Sequence, residues 1–225
     1  MIKFFARYKF IAVVLFILSV IIVTIIYNLY KPEPRLRVYQ PNQFTKELVD
    51  SSLQRVRKFH RISDFKLINQ YGDTISQADF KDKIYITDFF FTTCQTICPI
   101  MTEHMQRIQQ AFKDDDEVML LSHSVTPNID DVERLKTYAD EHHAIKGKWH
   151  LVTGDKKQIY KLARQSYFTT KTTGDGGKYD MVHTENFVLI DKEKRIRGIY
   201  DGTNPDEIEE AIEDIKILKQ EYQKD

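Results

Sequence analysis

The sequence has no excess charge and very little cysteine. Its 33 basic and 33 acidic residues give a formal net charge of zero, so no global field attracts nucleic acid or acidic ligands. There is also no internal repeat and no low-complexity tract. The only thiols are those of Cys94 and Cys98, and any thiol chemistry must therefore use this pair.

One long hydrophobic run stands near the N-terminus. Residues Phe10 to Tyr30 carry no charge, and at about 1.5 Å per residue a helix over them spans the roughly 30 Å of a hydrocarbon core. A cleaved signal peptide would have a shorter apolar region ending in small residues, so a retained transmembrane anchor is expected. Basic residues flank both ends and do not settle the orientation. With so short a leading tail, residues 1–9 are expected in the cytoplasm and the domain outside.

A proline-containing segment follows the anchor. Lys31 to Pro41 contains three prolines, which disfavour helix and strand, so residues 31–58 are predicted to form an extended stalk. The remaining residues, 59–225, number about 165 and suffice for one well-buried domain. One globular domain on a membrane anchor is therefore expected.

Strand-like and amphipathic segments alternate within residues 59–225. The run KIYITDFFF, 83–91, has the β-branched and aromatic composition of a buried central strand. The other predicted strands are 64–68, 117–124, 149–152, 187–191 and 196–200; the predicted helices are 100–112, 128–142, 156–166 and 205–221; and 167–179, rich in Thr and Gly, is predicted to be an exposed loop or hairpin. This order predicts an α/β fold, a thioredoxin-like mixed sheet flanked by helices.

The cysteines lie in TTCQTICP, between the predicted central strand and the helix after it. Open α/β folds place their sites at the carboxyl ends of strands, and a helix N-terminus favours the thiolate. Cys94 and Cys98 are spaced i, i+4 and can face the same way, so two thiolates could hold a soft ion such as Cu(I). A structural zinc site usually needs four protein ligands. A redox-active pair and a simple structural disulfide are the alternatives.

The run YITDFFFTTCQTICPIM resembles the strand and TxCxxxCP motif of the Sco family of copper chaperones. Further along, LLSHSVTPNIDDVERLKTYA, WHLVTG and MVHTENFVLID resemble, in order, the family's next loop and helix, its next strand and turn, and its histidine segment. The similarity covers residues 64–218. It implies a thioredoxin fold behind an N-terminal anchor, copper as Cu(I) or Cu(II), and a role in assembling the dinuclear copper site of cytochrome oxidase.

The resemblance also implies a third copper ligand. His183 stands where the family carries its ligand histidine, so the implied metal set is Cys94, Cys98 and His183; an exposed or loop-anchoring histidine is the alternative. The chain departs from the family at two places. It has Gln-Thr-Ile between the cysteines where Pro-Asp-Val is common, and Thr126 where an aspartate is frequent. Neither departure changes an implied ligand.

The remaining histidines are interpreted as structural groups. His104 lies on the apolar stripe of the helix after the cysteines, which suits a core or capping residue. The others lack the pattern of a ligand set; they are His60, His123, His142, His143 and His150. Met101 and Met181 carry thioethers that could join a Cu(I) set, but both are interpreted as packing residues.

Asp88 stands six residues before Cys94 inside an otherwise apolar strand. A thioredoxin has a buried aspartate at the same offset, where it exchanges a proton with the buried thiol. The similarity implies a desolvated carboxyl with a raised pKa that can take up or release that proton. An edge-facing or hydrogen-bonded aspartate is the alternative.

Two functions follow from these patterns. The first is a copper metallochaperone that passes its ion to the copper-receiving subunit of cytochrome oxidase and turns nothing over. The second is a thiol-disulfide oxidoreductase that keeps the oxidase's copper-site cysteines reduced, with Cys94 as the nucleophile. In both, the protein is expected in the inner or plasma membrane with its domain on the extracytoplasmic side.

Overall fold

The computed structural model describes residues 2–30, 34–171, 173–174, 176–177 and 180–224. The chain divides into two units, Met1–Arg35 and Leu36–Asp225. The first contains helix α1 (Ile2–Tyr30). Within it, Tyr8–Tyr27 is 20 residues long and apolar enough to cross a membrane. By length and composition, α1 is therefore a candidate membrane span.

The second unit is built on one mixed sheet. Within the described residues its strands are β1 (Lys66–Asn69), β2 (Thr74–Ser76), β3 (Ile84–Phe90), β4 (Val118–Ser124), β5 (Trp149–Thr153), β6 (Asn186–Ile190) and β7 (Ile196–Asp201). Their order across the sheet is β2-β1-β5-β4-β3-β6-β7. Strands β3, β4 and β5 are parallel, and the outer strands pair antiparallel. The helices are α2 (Ile97–Ala111), α3 (Val132–Glu141), α4 (Lys156–Lys161) and α5 (Pro205–Lys224), and α4 continues into a π-helical turn, Leu162–Ser166.

Strand β3 is buried along its whole length and separates two apolar clusters. Tyr85 and Phe89 belong to the cluster that includes α4 residues, whereas Ile86 and Phe90 belong to the cluster built with α2, α3 and α5. Successive strand residues point to opposite faces, so Asp88 shares the face of Ile86 and Phe90. The helix that carries Cys98 covers this same face. The predicted mixed sheet flanked by helices is confirmed.

Two helix starts differ from the prediction. Helix α2 begins at Ile97 instead of residue 100, because Pro99 falls in the first turn, where its missing N–H would have had no helical partner. Helix α3 begins at Val132 instead of residue 128. The Asp131 carboxylate accepts the Arg134 N–H at 2.8 Å and so caps α3.

Part of the predicted stalk belongs to the folded unit. Residues 31–33 lie outside the described residues, but the compact unit begins at Leu36. The Tyr39 N–H donates to the Ile196 carbonyl oxygen at 2.9 Å, and Val49 is only 1% exposed. Apolar side chains order this segment against the domain, although its prolines disfavour regular structure. The domain boundary therefore lies near residue 36 and not at 59.

The predicted loop 167–179 also differs in part. Tyr167 and Phe168, at its start, are buried in the core and not exposed. Burial of a large aromatic side chain is strongly favourable. The Thr- and Gly-rich composition of the residues that follow did not indicate that these two aromatic residues are buried. Four of its residues lie outside the described residues; they are Thr172, Asp175, Lys178 and Tyr179.

Candidate metal and thiol site

Cys94 and Cys98 lie where β3 gives way to α2. Cys94 sits in the turn after β3 and is partly exposed, whereas Cys98 is the second residue of α2 and is buried. Both thiols are free. The Cys98 N–H donates to the Cys94 Sγ at 3.4 Å. The sulfurs are therefore brought together by a turn and a helix start, since Cys94 precedes the helix on which an i, i+4 pair was expected.

The Cys94 thiol ionises more easily than an ordinary cysteine. Partial burial alone would raise its pKa, but hydrogen bonds from the thiol and N–H of Cys98 and from Thr96 outweigh that effect and lower the pKa to about 7. The lowered pKa increases the share of Cys94 that is thiolate at neutral pH. The thiolate is the form that attacks disulfides and binds soft metals.

The Cys98 thiol behaves in the opposite way. Burial, followed by its hydrogen bond to Cys94, raises its pKa to about 12. Cys98 is therefore protonated at neutral pH. It loses its proton when a base accepts it, when a bound metal ion takes its place, or when a mixed disulfide at Cys94 ends the hydrogen bond of Cys98 to that residue. The site combines a ready nucleophile with a protonated, buried partner.

Asp88 lies on the same face of the sheet as α2. Its side chain is buried, and its Oδ1 is without a hydrogen-bond partner among the described residues. Burial raises the pKa of this carboxyl to about 7, although a hydrogen bond with Ser122 opposes the rise. Its charge in turn helps to raise the pKa of Cys98. The edge-facing alternative is excluded, because β3 lies between β4 and β6.

A raised pKa makes stability depend on pH. Between its ordinary value of 3.8 and about 7, Asp88 keeps its proton in the native chain but loses it when unfolded, so stability falls as pH rises through this window. Asp88→Asn should remove that dependence and be more stable at pH 8 by on the order of 1 to 4 kcal/mol. Urea unfolding of both proteins at pH 4.5 and 8 measures the difference. An equal pH dependence in the two would contradict it.

A second buried carboxylate, Asp130, fixes the turn that carries Cys94. It accepts hydrogen bonds from the Thr92 hydroxyl at 2.5 Å and the Thr92 N–H at 3.3 Å. It also accepts from the hydroxyls of Ser124 at 2.6 Å and Thr126 at 2.9 Å. Asp130 was not singled out from the sequence, because Thr92, its partner in the turn before Cys94, lies 38 residues away in the chain. The only local signal was an acidic residue just before a helix cap in a Ser- and Thr-rich turn.

His183 stands apart from the sulfurs. It lies in the loop before β6, and its side chain is exposed. Among the described residues, no three His, Cys, Asp or Glu side chains lie close enough together to hold a metal ion. The structure thus brings Cys94 and Cys98 together but does not bring His183 to them.

Most of the other singled-out side chains have structural surroundings, but Met181 is 46% exposed and is not the packing residue predicted from the sequence. His104 is buried with its Nδ1 2.7 Å from the Gly202 carbonyl oxygen, and Met101 is buried in the α2 cluster. His123 is fully buried and stacks on Phe89 at a centroid distance of 4.8 Å. Burial lowers the pKa of His123 to about 3, so it is neutral at physiological pH.

The sequence model of the SCO1/SenC family matches residues 54–220, most of the chain. The chain belongs to the SCO1/SenC family. Its fold also matches solved structures of that family. A SCO1/SenC family lipoprotein from Bacillus anthracis is 30% identical, with a TM-score of 0.63 over 71% of this chain and 95% of that one.

Two further family structures carry functional descriptions of their own. BsSco, in which a disulfide switch was identified, is described as a member of the Sco family of cytochrome c oxidase assembly proteins. It is 28% identical, with a TM-score of 0.57 over 69% of this chain and 92% of that one. Copper-bound ScoI from Bradyrhizobium japonicum is 26% identical, with a TM-score of 0.56 over 71% of this chain and 99% of that one.

Proposed function

We propose that this SCO1/SenC family member is a membrane-anchored copper metallochaperone. It binds copper through Cys94, Cys98 and His183 and passes it to the copper-receiving subunit of cytochrome oxidase. Family membership supports the proposal, since a relative is known with copper bound and another is described as an oxidase assembly protein.

The observation that carries the proposal is the donor set at the head of α2. Two thiol sulfurs are held side by side, and the pKa of one is lowered to about 7. Soft thiolates suit Cu(I), and an imidazole suits Cu(II). Cys94 and Cys98 are built into the fold and can bind first, while the exposed His183 would complete the set from the neighbouring loop.

The direct test is copper titration of the full-length chain in detergent under reducing conditions, followed by metal analysis. We expect one copper ion per chain, retained through gel filtration. A zinc titration in the same buffer is the control, because a two-cysteine, one-histidine set lacks the four ligands of a structural zinc site. Copper that washes away like the zinc would contradict the chaperone function and favour a thiol-redox role.

The anchor has its own prediction. We infer that α1 spans the membrane, with residues 1–9 in the cytoplasm and the domain on the extracytoplasmic side. The 20-residue segment Tyr8–Tyr27 is predominantly apolar and matches the thickness of a hydrocarbon core. Carbonate washing should leave the chain in the membrane fraction, and protease added to right-side-out vesicles should digest the domain. A soluble or protease-protected domain would be evidence against this arrangement.

The unequal thiols favour a second candidate function, thiol-disulfide exchange. The Cys94 thiolate attacks one sulfur of a partner disulfide, forms a mixed disulfide and releases one partner thiolate. The Asp88 carboxylate takes the proton of Cys98, whose thiolate then attacks the Cys94 sulfur and releases the second partner thiolate. The partner leaves reduced, this chain leaves oxidised at Cys94–Cys98, and an external dithiol must reduce it again.

This second function predicts a separation of effects in Asp88→Asn. Asparagine cannot accept the Cys98 proton, so thiol-disulfide exchange should slow by about 100-fold, the low end of the usual contribution of a general base. Copper affinity should change less, because the carboxyl is not a proposed ligand. Stopped-flow exchange with a small aromatic disulfide, beside the copper titration, measures both. An unchanged exchange rate would leave Asp88 as a packing residue.

A further inference from the structure

Three side chains on one stripe of α4 and the turn after it converge on Asp180. Lys156, Tyr160 and Arg164 are spaced four residues apart, so they lie on the same side of the helix. Asp180 comes three residues before His183 in the chain. The stripe therefore meets the loop at the point where it leads into the exposed histidine.

The contact with Arg164 is the strongest of the three. Its two terminal nitrogens each donate to one carboxylate oxygen of Asp180 at 2.6 Å, and the two side chains are only 8% and 9% exposed. A planar two-bond pair of this kind fixes the orientation of both groups. Replacing a buried ion pair with apolar residues is often neutral for the stability of a fold. The two-bond geometry of Arg164 and Asp180 therefore favours a role in fixing the position of the loop.

Lys156 and Tyr160 hold the backbone of the same residue. The Lys156 ammonium group donates to the Asp180 carbonyl oxygen at 2.8 Å and to the Gly177 carbonyl oxygen at 2.7 Å. The buried Tyr160 hydroxyl lies 3.2 Å from the same Asp180 oxygen. Both the side chain and the main chain of Asp180 are thus held by the α4 stripe.

Tyr160 also connects this loop to the cysteine side of the site. Its hydroxyl donates to the Val125 carbonyl oxygen at 2.9 Å. The Val125 N–H donates to the carbonyl oxygen of Phe90, the last residue of β3, at 2.9 Å. Cys94 follows Phe90 by four residues. A short chain of hydrogen bonds therefore runs from the loop that carries His183 to the end of β3, four residues before Cys94.

The loop also closes directly on the ion pair. Gly174 has a φ of +131°, and a Cβ there would collide with the Arg164 guanidinium and the Asp180 carboxylate. Beyond Asp180 only three residues lead to His183, a reach of at most about 10 Å. The His183 side chain is therefore exposed, while the main chain three residues before it is held in place at Asp180.

We propose that Lys156, Tyr160 and Arg164 form, with Asp180, an anchor that positions His183 for Cu(II). The inference rests on the proposed function, because it gives His183 the role of a ligand. The four residues are positioning residues and touch no copper. Substituting them should weaken the binding of Cu(II), the ion that needs the imidazole, and should leave Cu(I) binding unchanged.

The test compares Cu(II) and Cu(I) affinities of full-length variants in detergent. Tyr160→Phe removes only the hydroxyl, and Lys156→Met removes the charge from a partly exposed side chain. Loss of a partner outside the ligands typically weakens metal affinity about 10- to 100-fold, so each variant should lose at least about that lower factor for Cu(II). Cu(I) affinity should stay close to that of the unmodified chain, since two thiolates suffice for it.

A matched control and a double variant separate positioning from general damage. Tyr85→Phe removes another hydroxyl from the same apolar cluster, one that hydrogen-bonds the Tyr167 hydroxyl at 3.1 Å and makes no hydrogen bond to Asp180, and should change neither affinity. Tyr160→Phe combined with His183→Ala should bind Cu(II) no more weakly than His183→Ala alone, because both act through the same imidazole. Thermal unfolding reports folding, and Lys156→Met carries the test if Tyr160→Phe does not fold.

The outcomes separate the anchor from the function on which it rests. Additive losses in the double variant, or equal losses for Cu(II) and Cu(I), would overturn the anchor. So would normal Cu(II) binding by Tyr160→Phe and Lys156→Met when His183→Ala binds weakly, and this result would leave the proposed function standing. If His183→Ala itself binds Cu(II) normally, the ligand assignment fails and the anchor falls with it.

Discussion

Cys94→Ser and Cys98→Ser should each abolish tight copper binding. A hydroxyl is a hard donor that does not ionise near neutral pH, so each variant keeps only one thiolate for a soft ion. We expect affinity to fall by more than about 100-fold, the upper end of what is lost when a partner outside the ligand shell is removed. Competition titration of the full-length chain against a chromophoric Cu(I) chelator measures the loss.

The two variants need different controls. Cys94 is partly exposed, and serine there should leave the fold unchanged. Cys98 is buried in the α2 cluster, where an unpaired hydroxyl costs roughly 1–3 kcal/mol, so Cys98→Ala is the second variant at this position. Met101→Leu, a volume-conserving change in the same helix, should bind copper normally. Stoichiometric copper retained by a folded Cys94→Ser or Cys98→Ala would remove the pair from the site.

What the sequence could predict depended on how local the signal was. The buried strand β3 was evident from its apolar run, and the place of the thiols at the head of α2 followed from strand, motif and helix in succession. These inferences needed contacts within a few residues only. The burial of Asp88 was implied by the similarity to thioredoxin, but an edge-facing position stayed open until the strand order placed β3 between β4 and β6.

The rest depended on contacts between distant segments. Nothing near Val49 indicated that the predicted stalk would pack against the domain, because its partners lie far away in the chain. Thr92, which donates two hydrogen bonds to Asp130, lies 38 residues away in the chain, and Arg164 contacts Asp180 only after α4 and the loop have folded together. Residue composition and sequence spacing do not predict such long-range contacts.

The position of His183 is the clearest example of this limit. The similarity of MVHTENFVLID to the family's histidine segment named the residue, but spacing could not measure its distance from the sulfurs. In the structure its side chain is exposed and belongs to no cluster of metal ligands among the described residues. Its role as a ligand therefore stays a prediction, and its removal is the experiment that separates the two functions.

His183→Ala should weaken Cu(II) binding strongly and Cu(I) binding little. Imidazole suits Cu(II), whereas two thiolates can hold Cu(I) in two-coordinate geometry without it. We expect a loss of more than about 100-fold for Cu(II), again beyond the range for partners outside the ligand shell. Spectroscopic titration of the full-length chain with each ion measures the split. His104→Asn, a change at a buried histidine outside the site, is the control for histidine loss.

The same variant should leave thiol chemistry almost intact. Exchange uses the two sulfurs and the Asp88 carboxylate but not His183, so the Cys94–Cys98 disulfide should still form and reduce with at most a modest change in potential. If copper carriage is the role in cells, oxidase assembly should nevertheless fail, because a chain that exchanges disulfides but holds Cu(II) weakly lacks the proposed cargo. Normal Cu(II) affinity together with normal oxidase assembly would reject His183 as a ligand and leave disulfide exchange by Cys94 and Cys98 as the better account.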